Sequence, residues 1–250
     1  MSIVRFGDGE FLYMIDKIDL PFQEYDKELA DQMKEILRST NKSLLVGLPS
    51  GYHSLDNLNR EGVEFWKAQI AWIYPRLYPL LDSGKTYGNA SMTRLYYEVI
   101  DKEQSKIHFQ LVKTLWKDRH VLIVEGEKTR FGVGNDLLAN AKDVQRILAP
   151  PHHAYRIIVP LLELVFKQNK NKLVLIALGP AAKVLTYRLS LAGFQAIDIG
   201  NLDIEYEWFL RGATEKVKIP GKYTSEAVGG RIVEDINDDL YYSQVIATIT

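Results

Sequence analysis

The feature that most limits what this chain can fold into is an alternation in its second half. Short apolar runs at His120 to Val124, Val144 to Leu148, Leu173 to Leu178 and Ala196 to Ile199 are separated by glycine-marked loops and helix-length segments. Short apolar runs bounded by turn signals read as buried strands. Parallel strands need a long crossover between them, and a helix is the usual filling. The expected class is therefore α/β, a doubly wound, mostly parallel sheet with helices on both faces.

The first half fits the same plan less regularly. Ser2 to Phe6, Ser43 to Gly47 and Lys85 to Ala90 read as strands. Phe11 to Ile15 can start a helix, and Tyr25 to Leu37 places Leu29, Met33, Ile36 and Leu37 on one helical face. Val63 to Leu81 reads as helix with a break near Pro75, and Met92 to Leu115 as helix interrupted near Asp101. Further helices are expected from about Asn135, from His152 to Gln168 with a bend at Pro160, and from Gly179-Pro180 to Ala192. After Arg211 the pattern fades, and residues 212–231 read as a loop or lid within one domain spanning 1–250.

Composition removes several function classes. With 31 basic and 32 acidic residues the formal charge is −1, which gives no support for a nucleic-acid partner. The absence of cysteine excludes disulfides, thiolate zinc sites and cysteine nucleophiles. No apolar run approaches the ~18 residues of a membrane span. The N-terminus lacks a signal peptide's basic start and apolar stretch, so the expected location is the cytoplasm.

The densest chemistry lies in Phe194 to Phe209, where Asp198, Asp203, Glu205 and Glu207 gather with Tyr206 and Trp208 around the end of a strand. Ligands of open α/β sheets bind outside the carboxyl ends of strands. On a helix Asp203 and Glu207 share a face and Glu205 points elsewhere. A solvated helix start explains the acids but explains Tyr206 and Trp208 less well; aromatic faces stack on sugar rings and bases, and more often fill cores. Asp8 and Glu10 follow the first strand in Arg5-Phe-Gly-Asp-Gly-Glu10. Two converging carboxylates suit Mg²⁺ or Mn²⁺ on a nucleotide diphosphate; a turn leading into a helix N-terminus explains them as well. Glu125 to Asp136 holds Gly126, Gly132 and Gly134 with Arg130 between a strand and an expected helix. That is either a phosphate cradle, with Arg130 binding bidentately, or a plain connection. It matches neither the dinucleotide fingerprint nor the phosphate-loop motif. Gly179 opens a helix where a ligand or another segment can approach closely, and Lys222 lies in a polar loop within reach of a phosphate or of solvent.

Taken in order, Arg5-Phe-Gly-Asp-Gly-Glu10, Val124 to Leu137, Ala177-Leu-Gly-Pro180, Asp198 to Trp208 and Gly221-Lys-Tyr223 resemble the GT-D-fold glycosyltransferases, a family first catalogued as a domain of unknown function. The likeness runs from about residue 3 to 226 and is strongest to streptococcal members that glycosylate serine-rich-repeat adhesins. It implies a Rossmann-like sheet of GT-D type, a UDP-sugar donor, UDP-glucose in those members, and Mn²⁺ or Mg²⁺ held through an Asp-x-Glu triplet. Two such triplets exist, and Asp8 with Glu10 is the first choice over Asp203 with Glu205. Arg5, Gly7, Arg130, Gly132, Gly134, Asn135, Gly179 and Lys222 are then expected at the donor. Asp203, Glu205 and Glu207 would serve catalysis, and Tyr206 and Trp208 would face the acceptor. The family's pattern often has histidine where this chain has Asn201, so imidazole chemistry is not expected there. The implied partners are a glycosylated protein acceptor and other glycosyltransferases of the same pathway. A non-catalytic nucleotide-sugar-binding module supporting a partner enzyme is the alternative; a nicotinamide-dependent oxidoreductase is weakened by the missing fingerprint.

Overall fold

The computed structural model describes residues 1–249. The strands are β1 (Ser2–Arg5), β2 (Leu44–Leu48), β3 (Gly88–Asn89), β4 (His120–Gly126), β5 (Asp143–Ala149), β6 (Leu173–Ala177), β7 (Gln195–Asp198) and β8 (Val245–Thr248). They form one sheet in the order β3-β2-β1-β7-β6-β4-β5-β8, and every pairing is parallel. The helices are α1 (Asp8–Asp16), α2 (Lys27–Leu37), α3 (Arg60–Trp72), α4 (Tyr74–Leu77), α5 (Lys102–Lys113), α6 (Ile158–Phe166), α7 (Ala181–Leu191), α8 (Leu202–Arg211) and α9 (Asp239–Gln244).

Successive strand residues point to opposite faces, and the central strands show the consequence. Leu122, Val124, Val174 and Ile176 join one core with α1, α2, α6 and α7. Their neighbours Val121, Ile123, Leu173 and Leu175 join the other, with Phe109 of α5 and Ile204, Tyr206 and Trp208 of α8. Burial on both faces is why these strands read as unbroken apolar runs.

Several expected elements differ. No helix starts at Asn135; residues 127–142 are turns. The Asn135 side chain accepts the Leu137 N–H at 3.0 Å, and Trp116 Nε1 donates to the Leu137 carbonyl at 2.9 Å, so these backbone groups are satisfied without a helix. The helix expected over Met92 to Leu115 is confined to α5, because the Asp101 carboxylate accepts the N–H groups of Glu103 and Gln104 and caps it there. The strand expected over Lys85 to Ala90 shrinks to the two residues of β3. Pro160 falls in the first turn of α6, where a missing N–H costs nothing, after a 3₁₀ turn at Ala154–Ile157. Residues 213–238 contain no helix or strand, and α9 and β8 follow where the sequence showed no pattern.

A buried ion pair joins β4 to β5. Glu125 of β4 and Arg146 of β5 are both buried, with Arg146 Nη1 donating to Glu125 Oε1 at 2.6 Å and the Phe131 N–H to Glu125 Oε2 at 2.7 Å. Removing one partner strands a buried charge, whereas an apolar pair of similar volume does not. Arg146→Ala should therefore destabilise the fold by about 3–5 kcal/mol. Denaturant unfolding of Arg146→Met combined with Glu125→Leu should show most of that loss recovered.

Candidate active site

The carboxyl edge of the sheet opens into a cavity of about 880 Å³. Its floor is the end of β1 beside the end of β7. Arg5 Nε donates to the Asp198 carbonyl at 2.6 Å and Nη2 to Asp198 Oδ1 at 3.1 Å. Lys183, on the first turn of α7, lies 3.1 Å from Asp198 Oδ2 and donates to Glu10 Oε1 at 2.7 Å. The other oxygen of Glu10 accepts the Gly7 N–H at 2.9 Å and closes the first turn of α1. Burial pushes the Asp198 carboxyl up, but Arg5 and Lys183 outweigh it and hold it below the usual carboxylate range. Gly200 makes the arrangement possible: its φ is +43°, and a Cβ there would sit 1.9 Å from Arg5 Nη2. Gly179 has a φ of +54° and no room for a Cβ against Phe22, at 2.4 Å.

Asp8 differs from its neighbours. It borders the cavity and, among the described residues, its carboxylate has no hydrogen-bond or ion-pair partner. Burial and the nearby Glu10 raise its pKa, with Arg94 acting the other way. The N-termini of α1, α7 and α8 all open at this edge, beside Gly7, Gly179 and Asn201. Each contributes the partial positive charge of a helix start.

The second acidic group is knit into α8. Lys222 Nζ donates to Asp203 Oδ2 at 2.6 Å and Glu207 Oε1 at 3.0 Å. Asn135 Nδ2 reaches Asp203 Oδ1 at 2.8 Å and Glu207 Oε1 at 2.7 Å. Burial raises Glu207, but Lys222 and Asn135 bring it below the ordinary glutamate value. Glu205 accepts the N–H groups of Tyr96 and Tyr97 at 2.9 and 3.0 Å, and burial pushes its carboxyl up.

The expected site residues thus separate into two sets. Arg5, Gly7, Asp8, Glu10, Gly179 and Asp203 border the cavity. Arg130, Gly132, Gly134, Asn135, Lys222, Glu205, Tyr206, Glu207 and Trp208 do not. Arg130, expected at the diphosphate, is buried and donates to the carbonyls of Gly221 and Glu234 at 2.8 and 2.7 Å. Tyr206 and Trp208, expected to face an acceptor, are core residues: the Tyr206 hydroxyl donates to Asp136 at 2.6 Å and Trp208 Nε1 to the Val217 carbonyl at 2.9 Å. Gly132 and Gly134 shape the turns that replace the expected helix. The residues missed from sequence are Lys183, Arg94 and Glu226. Lys183 had a signal, since it stands one turn into a helix that starts at the ligand edge. Arg94 and Glu226 lie in irregular segments and had none.

A family model for the glycosyltransferase GT-D fold matches residues 3–227. The chain belongs to the GT-D-fold glycosyltransferase family. It is 39% identical over 249 residues to Glycosyltransferase GlyD of Streptococcus pneumoniae serotype 4, and 37% identical to Probable glycosyl transferase Gly of Streptococcus gordonii. Those matches cover 99% of this chain but only 30% and 36% of the relatives, so the chain spans about a third of their length. A solved domain of unknown function 1792, described as a distinct glycosyltransferase fold, superposes with a TM-score of 0.93 at 37% identity, covering 100% of this chain and 90% of that one. A glycosyltransferase of the same domain from Streptococcus sanguinis superposes at 0.91 with 35% identity, covering 100% and 93%.

Within this GT-D chain the two Asp-x-Glu triplets sit in different environments. Glu10, Asp203 and Glu205 are all engaged by protein donors, and Asp8 is not. Among the described residues no three His, Asp or Glu side chains form a metal cage. Mg²⁺ and Mn²⁺ sites on nucleotides need only one or two carboxylates, completed by phosphate and water. Asp8 with Glu10 beside it fits that demand. Asp198, below it, should contribute stability that depends on pH. Asp198→Asn should cost about 3 kcal/mol at neutral pH, because Arg5 and Lys183 lose a buried counter-charge. A depressed carboxyl stabilises above its unfolded pKa of about 3.9. The gap between wild type and variant should therefore close as pH falls through the lower folded value, read as denaturation midpoints against pH.

Proposed function

We propose that this chain moves a sugar, glucose from UDP-glucose, onto a glycan carried by a serine-rich-repeat adhesin, using Mn²⁺ or Mg²⁺, in the cytoplasm. The observation that carries the reading is Asp8, an unpartnered carboxylate at the mouth of three helix N-termini in a GT-D chain. Such a place suits a diphosphate with a cation between it and the protein.

Asp8, with Glu10 behind it, would hold the ion, which when bound neutralises charge on the leaving diphosphate. The starts of α1, α7 and α8 add their share of that neutralisation. Lys183 and Arg5 act beneath, by fixing Glu10 and Asp198 and so the turn that aims Asp8. Asp203 is the one member of the α8 acidic group on the cavity wall. Lys222 and Asn135 hold its carboxylate in place to orient the acceptor hydroxyl. Glu205 and Glu207 are positioning residues: Glu205 anchors the segment that presents Arg94, and Glu207 shares the grip of Lys222. Arg130 acts on the fold of residues 221–234 rather than on the donor.

Three measurements test this reading. Calorimetry with UDP-glucose and Mn²⁺ should give binding that a chelator removes, and Asp8→Asn should weaken the metal-dependent part by about tenfold, the equivalent of ~1.4 kcal/mol. UDP affinity indifferent to both chelator and Asp8→Asn would end the metal assignment. Asp203→Asn should leave UDP and Mn²⁺ binding near wild type while transfer falls by roughly 10²–10⁴-fold. Binding without transfer by the wild-type chain would favour a supporting nucleotide-sugar module. Arg130→Ala should cost about 1.5–3 kcal/mol of stability through lost charge-assisted hydrogen bonds, with UDP affinity unchanged.

A further inference from the structure

The cavity is chemically divided. One flank lies beyond the ends of β4, β5 and β6, where Phe22, Pro150, Pro151, Leu178 and Tyr223 line it. No aspartate or glutamate stands among the described residues of that flank. The opposite flank lies beyond β2 and β3 and is built from the start of α3 and the segment leading into α5. It carries three carboxylates, Asp56, Glu61 and Glu98, with Asn57, Gln104 and the ring of Phe65. Asp8 and Arg5 lie between the two, at the end of β1.

Internal hydrogen bonds make the acidic flank a fixed wall. Tyr97 OH donates to Glu61 Oε2 at 3.0 Å, Trp66 Nε1 to Glu98 Oε2 at 3.2 Å and Asn57 Nδ2 to Gln104 Oε1 at 3.0 Å. The Asn57 carbonyl also accepts the Ile100 N–H at 2.9 Å, joining the two segments through their backbones. Each glutamate spends one oxygen on the protein. Glu61 Oε1 and Glu98 Oε1 have no donor among the described residues. Phe65 is 37% exposed, and its ring stands edge-on to Trp66 at 5.2 Å.

Charge decides what each flank can take. Arg94 and Lys216, the cations nearest this flank, are paired with Glu226, so its three carboxylates repel a diphosphate and the nucleotide belongs on the apolar flank, where aromatic rings can meet a base. A sugar presents hydroxyl donors on its edge and C–H groups on its faces. Free carboxylate oxygens accept the first, and an exposed ring packs against the second. We infer that the wall formed by residues 56–66 and 98–108 is the acceptor subsite, and that it takes a neutral oligosaccharide while rejecting acidic sugars. This inference rests on the glycosyltransferase reading and supplies the acceptor surface that Tyr206 and Trp208, buried in the core, do not.

The test is backbone-amide NMR of the full chain with Mg²⁺ and UDP, titrated with cellobiose, lactose and chitobiose. At least one disaccharide should shift amides of Asn57 to Trp66 and Glu98 to His108 in a saturable way. Cellobiouronic acid should bind more weakly than cellobiose by roughly fivefold or more, as expected for like charges in one pocket. Phe65→Ala and Glu61→Gln should each weaken the disaccharide by about fivefold. Glu61→Gln keeps an acceptor for Tyr97, so it reports even if Phe65→Ala perturbs the fold. The inference is overturned if none of the three disaccharides moves these amides, if the shifts fall on residues 20–23 and 150–154 instead, if the acidic sugar binds as well, or if neither variant matters. Failure of the donor reading shows separately, as absence of UDP-induced shifts around Gly179.

Discussion

The site depends on one buried set of charges. Arg5, Asp198, Lys183 and Glu10 come from β1, β7, α7 and α1, and each is bonded to the next. A charge removed from water is tolerable only with close, well-directed partners. Four elements therefore have to meet in one geometry before any of these groups is satisfied. That requirement places the turn at Gly7 and the carboxylate of Asp8 where the sheet ends. It also explains why the Asp8 carboxylate has no partner among the described residues: Arg5 and Lys183 are committed to Asp198 and Glu10, and Arg94 to Glu226.

A second set, built on Lys222, works at longer range in sequence. It ties α8 to the irregular segment after it and to the turns around Asn135. Its acids look like one cluster in one dimension; in three, only Asp203 lines the cavity, and Glu205 and Glu207 are bonded to other parts of the chain. Glu205 illustrates the difference. Its carboxylate replaces missing backbone partners for Tyr96 and Tyr97, in a stretch that is neither helix nor strand. A buried N–H needs an acceptor from somewhere, and here a helix start from the far half of the chain supplies it.

The sheet was largely legible from sequence because burial on both faces writes itself as apolar runs at β4, β6 and β7. The placing of Asp8 and Gly179 at the carboxyl edge of the sheet was legible for a second reason: strand ends are marked by glycine. Elements fixed by single side-chain bonds were not legible. The turns at 127–142 follow a helix-like composition but are held by Asn135 and Trp116. Arg130 reads as a phosphate ligand because a glycine-rich loop after a strand normally faces the ligand; only the carbonyls of Gly221 and Glu234, about a hundred residues away, turn it inward. Tyr206 and Trp208 sit next to true edge residues, and one helical step carries them into the core. The polar wall beyond β2 and β3 carries no motif, since its acids come singly from two stretches far apart in the chain.

The anchoring of Arg130 has a mechanical consequence. The stretch between α8 and α9 is fastened at Gly221 and Glu234 by one guanidinium, and at Lys222 by the acids of α8. What lies between those fastenings is a short tip holding Glu226 and Arg231, both on the cavity wall. Glu226 is clasped by Arg94, Lys216 and Asn201. Lifting the tip would part all three contacts together while its roots stayed in place. Residues of this tip could therefore leave the cavity wall only by parting those three contacts, and Arg94, which pairs with Glu226 and acts on the charge of Asp8, ties the tip to the floor of the cavity.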